Sequence, residues 1–141
     1  MKIIIGLFFF YSLKLLSADY IFDSRGSSEQ KTLKFKDNSK YIQIETNGWW
    51  TDSDGNYGTE RCIGKTESSD KDIQLDIYCE IIDQNRNIIR VSRKRNSSIG
   101  AGVGINTYLE VPEKYVSLLG KACTYAVLFL NKDFFYKQKC N

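Results

Sequence analysis

The sequence predicts an all-β fold: an antiparallel up-and-down meander of about eight strands, closed or nearly closed into a small barrel. Three observations carry this reading. Ile73, Leu75, Ile77, Cys79 and Ile81 are apolar at every second position, with Gln74, Asp76, Tyr78 and Glu80 between them. That period of two marks a half-buried strand, since a helix would bury several of the polar residues. Comparable short runs recur between turn residues, and no stretch has convincing helical periodicity. Finally, Cys62 and Cys79 have the same spacing as Cys123 and Cys140, as if two hairpins were stapled alike. Hairpins formed by neighbours in sequence favour a meander over a Greek key.

In chain order, Met1-Lys2 is a basic head, Ile3 to Leu13 an apolar run, and Leu15-Leu16-Ser17-Ala18 ends on a small residue. This pattern predicts a secretory signal peptide over residues 1–18, cut after Ala18, although Lys14 and Leu16 depart from the preferred pattern. The run is too short for a membrane span, which needs about 20 residues, so no stable membrane insertion is expected after cleavage. Loss of Lys2 and Lys14 leaves 18 basic against 17 acidic residues, so the net charge falls from +3 to +1. The basic pI is then partly a property of the signal, and it gives no reason to expect a nucleic-acid partner. Asp19 to Gln30 is polar, with Ser24, Gly26, Ser27 and Ser28, and reads as a flexible lead-in over 19–30. Residues 31–141 form a single domain.

Within that domain, Leu33 and Phe35 alternate with lysines as a short strand, and Asp37-Asn38-Ser39 is a turn. Tyr41 to Thr46 alternates again. Asn47-Gly48 has the composition of a hairpin turn. Trp49 and Trp50 follow, and Asp52 to Asn56 turns the chain into the Tyr57–Asp83 hairpin. Asp83 to Asn87 is a further turn, leading to Ile88–Arg95. Gly100, Gly102 and Gly104 precede a strand at Thr107–Val111, and Pro112 opens a connection to Gly120. The last hairpin runs from Cys123 to Leu130 and back from Asp133 to Cys140. There Cys123, Tyr125, Val127 and Phe129 share a face with Phe134, Tyr136 and Cys140, while Lys137 and Lys139 take the other.

Four cysteines behind a signal peptide imply two disulfides. A two-residue turn at Asp70-Lys71 sets Cys62 opposite Cys79, and one at Asn131-Lys132 sets Cys123 opposite Cys140. Each pair falls an odd number of steps from its turn, at the non-hydrogen-bonded level of the ladder, where side chains approach most closely. The expected bridges are Cys62–Cys79 and Cys123–Cys140. A longer loop in either hairpin would bring back the crossed pairings.

The chain has no histidine, which removes histidine-based triads, histidine general acid–base work and histidine metal sites. Bridged cysteines also remove thiolate nucleophiles and zinc-thiolate sites. Asp52-x-Asp54-Gly55-Asn56 loosely resembles a calcium loop. With Gly55 in the glycine slot, however, Trp50 and Arg61 would take ligand positions, so self-capping aspartates in a turn are expected instead. No metal site and no cofactor are expected.

Glu60 falls opposite Ile81 on the face of Cys62 and Cys79. An inward carboxylate there would be a candidate acid or base. The favoured alternative is a bulge that turns it outward, or a position near the barrel mouth. Of Trp49 and Trp50, only one can line a given surface; it could stack on a ligand, with core packing the default. Arg90, Arg93, Lys94 and Arg95 split between two strand faces and read as a solvated edge. Gly100-x-Gly102-x-Gly104 lacks the spacing and the helix of a nucleotide loop, so glycines of a curved strand are expected. Asn96-Ser97-Ser98 is a glycosylation sequon, with meaning only in a eukaryotic secretory pathway.

From Gly58 onward, several residues have a family pattern. They are Cys62-Ile63-Gly64, Cys79, Asp83, the Gly100–Gly104 run, and Lys114-Tyr115-Val116-Ser117-Leu118-Leu119-Gly120. In these the chain resembles small secreted β-barrel domains of the allene-oxide-cyclase-like, or calycin-like, group, many of them uncharacterised bacterial proteins. Arg86, Glu113 and Ser117 stand where that pattern has glycine. The resemblance covers about half of the expected mature chain, rests on turns and structural glycines, and implies a fold rather than a chemistry. It leaves two readings of function. One is a secreted or periplasmic, non-enzymatic barrel that binds a small apolar ligand or an envelope partner. The other, implied by the resemblance, is an enzyme that holds an apolar substrate inside the barrel.

Overall fold

The structure, a computed structural model, describes residues 19–69, 72–98 and 102–141. The expected signal peptide (1–18), the Asp70-Lys71 turn and Gly100 lie outside them. Eight antiparallel strands follow one another in order and close into a barrel. They are β1 (Tyr20–Lys34), β2 (Lys40–Asp52), β3 (Tyr57–Ser68), β4 (Asp72–Asp83), β5 (Ile88–Ser98), β6 (Val103–Glu110), β7 (Ala122–Leu130) and β8 (Asp133–Cys140). Pairing of β1 with β8, from Tyr20↔Cys140 to Ser27↔Asp133, completes the ring.

Both disulfides form as the spacing predicts. Cys62 pairs with Cys79 in the β3–β4 register, and their Cα atoms are 4.0 Å apart. The Cα atoms of Cys123 and Cys140 are 4.5 Å apart, beside Thr124↔Lys139 in the β7–β8 register. The described residues contain no free cysteine.

The segment expected to be a flexible lead-in is the longest strand, β1. Its polarity misleads because the interior is crowded: Phe22, Ser24 and Ser28 point inward and are buried, and the serines occupy space that larger residues would overfill. Asn47-Gly48 is not a turn either, since β2 runs straight through it. Gly48 faces Gly26 across the ladder. A Cβ on Gly26 would come within 2.5 Å of the Gly48 Cα, and one on Gly48 within 2.9 Å of the Phe134 ring. These glycines permit close backbone approach, which a turn signal cannot be told from in sequence.

The connection after Pro112 contains a short 3-10 helix, η1 (Glu113–Leu118). Tyr115 and Leu118 from it are buried and join the core. In a meander, alternate turns share an end. The cap end holds η1, the Asp52–Asn56 and Asp83–Asn87 turns and both terminal strand ends. The opposite end holds the turns at 35–39 and 131–132. The outward faces of β1 to β5 and β8 carry charge, including Asp23, Glu45, Arg61, Glu80, Arg90 and Lys137.

Candidate functional site

The two sides of the wall offer two candidate sites. Inside, Glu60 (β3) is buried and points inward with its register unbroken, so no bulge turns it out. Its partner is Arg93 of β5, which lies inside rather than on a solvated edge. Arg93 Nη2 donates to Glu60 Oε2 at 2.8 Å and Nη1 to Oε1 at 3.5 Å. The Arg93 and Glu60 side chains are 4% and 0% exposed. Ser24 Oγ donates to Glu60 Oε1, and Arg93 Nε donates to Asn106 Oδ1 at 3.2 Å. The guanidinium lies 3.9 Å from the centroid of the Tyr136 ring.

Burial pulls the Arg93 pKa down, the adjacent Glu60 with the nearby Tyr136 and Tyr108 pushes it up, and the net direction is up. Burial raises Tyr136 well above the ordinary phenol. Its hydroxyl donates to Gln138 Oε1 at 2.8 Å, and Gln138 Nε2 donates to the Tyr108 hydroxyl at 2.8 Å. The two residues that contact the Glu60 carboxyl, Ser24 and Arg93, both donate to its oxygens. The ion pair is enclosed by protein. The cavity beside it, lined by Thr46, Ile77, Arg93, Tyr125 and Phe134 among others, measures about 20 Å³, room for about one water.

The turns at the cap end are structural. Asp52 Oδ1 accepts from the backbone N–H of Asp54 (2.9 Å) and Asn56 (2.8 Å). Asp83 Oδ1 accepts in the same way from Asn85 (2.8 Å) and Asn87 (2.9 Å). In both turns the asparagine side chain returns to the second carboxylate oxygen. Gly55 and Arg86 take equivalent positions at φ 81° and 67°. The self-capping expected of Asp52 is therefore present, and it recurs at Asp83. Among the described residues, no group of three or more His, Cys, Asp or Glu side chains could hold a metal ion.

Outside, the two tryptophans divide. Trp50 is buried, stacks on Phe22 at 5.1 Å, and its indole N–H donates to the carbonyls of Thr59 and Ile82, both at 3.2 Å. Trp49 points out and is 67% exposed. Arg25 of β1 lies directly opposite it, Phe135 of β8 lies opposite Arg25, and Leu128 of β7 lies opposite Phe135. This row of four residues spans four strands and floors a groove of about 590 Å³ on the outer wall. Ala126, Thr51 and the Asp23–Lys137 pair (3.4 Å) form one side. Sequence reasoning found Trp49 but not Arg25 or Phe135, because their adjacency depends on β1 being a strand and on barrel closure.

No protein-family model, curated protein or solved structure matches the chain.

Proposed function

We propose that the protein is a secreted or periplasmic, non-enzymatic β-barrel that binds a small apolar ligand on its outer wall, in the groove of Trp49, Phe135, Leu128 and Ala126. One observation carries the reading: the interior is filled by side chains, whereas the outer groove has a volume typical of small-molecule sites. Its largest aromatics are exposed, Trp49 by 67% and Phe135 by 51%, and two disulfides are the mark of an oxidising, extracytoplasmic compartment. The alternative of an enzyme with its substrate inside the barrel needs space beside Glu60, where there is about 20 Å³.

Titration with the neutral probe N-phenyl-1-naphthylamine tests the proposal. Saturable binding to one site is expected, and Trp49→Ser or Phe135→Ser weakens it by about tenfold, equivalent to losing roughly 1.4 kcal/mol of apolar contact. Absence of binding at any concentration, or binding indifferent to both substitutions, would overturn it.

A further inference from the structure

The far end of the β1–β2 hairpin carries a separate surface, distant from the groove. Ser28 still donates to the Lys132 carbonyl of the β7–β8 turn; beyond it β1 pairs with β2 alone, out to Lys34↔Lys40. Residues 29–38 are all exposed. On this arm Leu33 is 62% exposed and Phe35 55%, and Tyr41 lies directly across from Leu33. Lys31, Lys34, Lys36 and Lys40 surround them. Among the described residues, none of the four makes an ion pair or a hydrogen bond through its side chain.

The only acid within residues 31–41 is Asp37, and its carboxylate is engaged by the backbone N–H and the hydroxyl of Ser39 at 3.0 and 2.7 Å. The neighbouring Glu67 is paired with Lys65 at 2.6 Å. Glu29 lies at the base of the arm, and Asp72 lines the recess between Lys40 and Gln74.

Lysines on an unpaired strand edge have an ordinary explanation, since they keep the edge from pairing with another chain. That explanation does not cover Leu33, Phe35 and Tyr41, which form an apolar tip flanked by lysines that have no ion-pair partner among the described residues. We infer that this arm docks reversibly on an anionic bilayer surface. The leucine and the two aromatics enter the headgroup boundary, and the lysines face lipid phosphates. Whole-chain charge conceals the feature, because the wall's salt bridges balance elsewhere while the arm does not.

The test is co-sedimentation of the disulfide-bonded protein with phosphatidylglycerol–phosphatidylcholine vesicles and with pure phosphatidylcholine vesicles. Binding only to the anionic vesicles is expected, weakening as salt rises. Removing each lysine costs about fivefold, so Lys34→Ser with Lys36→Ser and Lys40→Ser loses about a hundredfold. Leu33→Ser with Phe35→Ser loses at least about tenfold. Lys121→Ser, at the cap end, leaves binding unchanged. All these positions are exposed, so thermal unfolding monitors that the variants remain folded. Comparison of variants with the parent cancels any contribution from residues 1–18.

Equal binding to both vesicle types, no binding, or binding indifferent to the arm variants would overturn the inference. So would heparin or nucleic-acid binding lost with the lysines but unaffected by Leu33→Ser and Phe35→Ser, which would make the arm a polyanion site.

Discussion

Glu60 and Arg93 are the residues on which the interior depends. A buried charge deprived of its partner costs far more than the pair is worth, whereas replacing both with apolar groups can be neutral or stabilising. Glu60→Gln should therefore destabilise the protein by about 3–5 kcal/mol, since the buried guanidinium loses its counter-charge. Glu60→Leu combined with Arg93→Met should recover most of that loss, and urea unfolding of both variants measures it. A double variant as unstable as the sum of the single ones would show that the pair does more than balance its own charges. Half of this arrangement was legible in the sequence. The turn register places Glu60 on the face of Cys62 and Cys79, although the sequence favours a bulge that turns it outward or a place near the barrel mouth. Arg93 was missed because one charged residue in Arg-Lys-Arg gives no sign of burial, although Ile89, Val91 and Arg93 share its parity.

At the scale of elements, the two Asp–Asn turns hold the cap end. Burial would raise the Asp83 carboxyl, but hydrogen bonds from the Asn87 side chain, the Asn87 and Asn85 backbone and Tyr115 outweigh it and bring it down to about 2. Because the folded value lies below that of a free aspartate, about 3.9, the stabilisation is fully present above about pH 4. It is lost as pH falls through about 2. Asp83→Asn should cost about 2 kcal/mol at pH 7, through the contacts to Asn87 Nδ2 and Tyr115, and its deficit should vanish near pH 2. Urea midpoints across that range provide the check, and a deficit independent of pH would contradict the assignment.

The same scale separates what the sequence reveals from what it hides. Alternation in β4 and the cysteine spacing are local signals, and both hairpins match them. In β1, the small polar residues Ser24, Gly26 and Ser28 are chosen by residues distant in sequence that closure brings alongside. They pack beneath Glu60, Gly48 and the β7–β8 turn, so no local pattern announces them.

At the scale of the molecule, closure decides where function can lie. Eight strands form a barrel whose interior side chains can fill, and here they do, with an ion pair, stacked aromatics and two disulfides. Room for a ligand lies on the outside, where closure brings β7, β8, β1 and β2 into one row. Trp49 and Trp50 are adjacent in sequence and lie on opposite sides of the wall, which makes them paired reporters. The most direct measurement follows the two indole N–H resonances by NMR while an apolar ligand such as N-phenyl-1-naphthylamine is titrated in. The outer-wall account predicts that the Trp49 resonance moves to saturation while that of Trp50, held by the Thr59 and Ile82 carbonyls, stays in place. Movement of Trp50 with Trp49 unchanged would put the ligand inside the barrel and contradict the account.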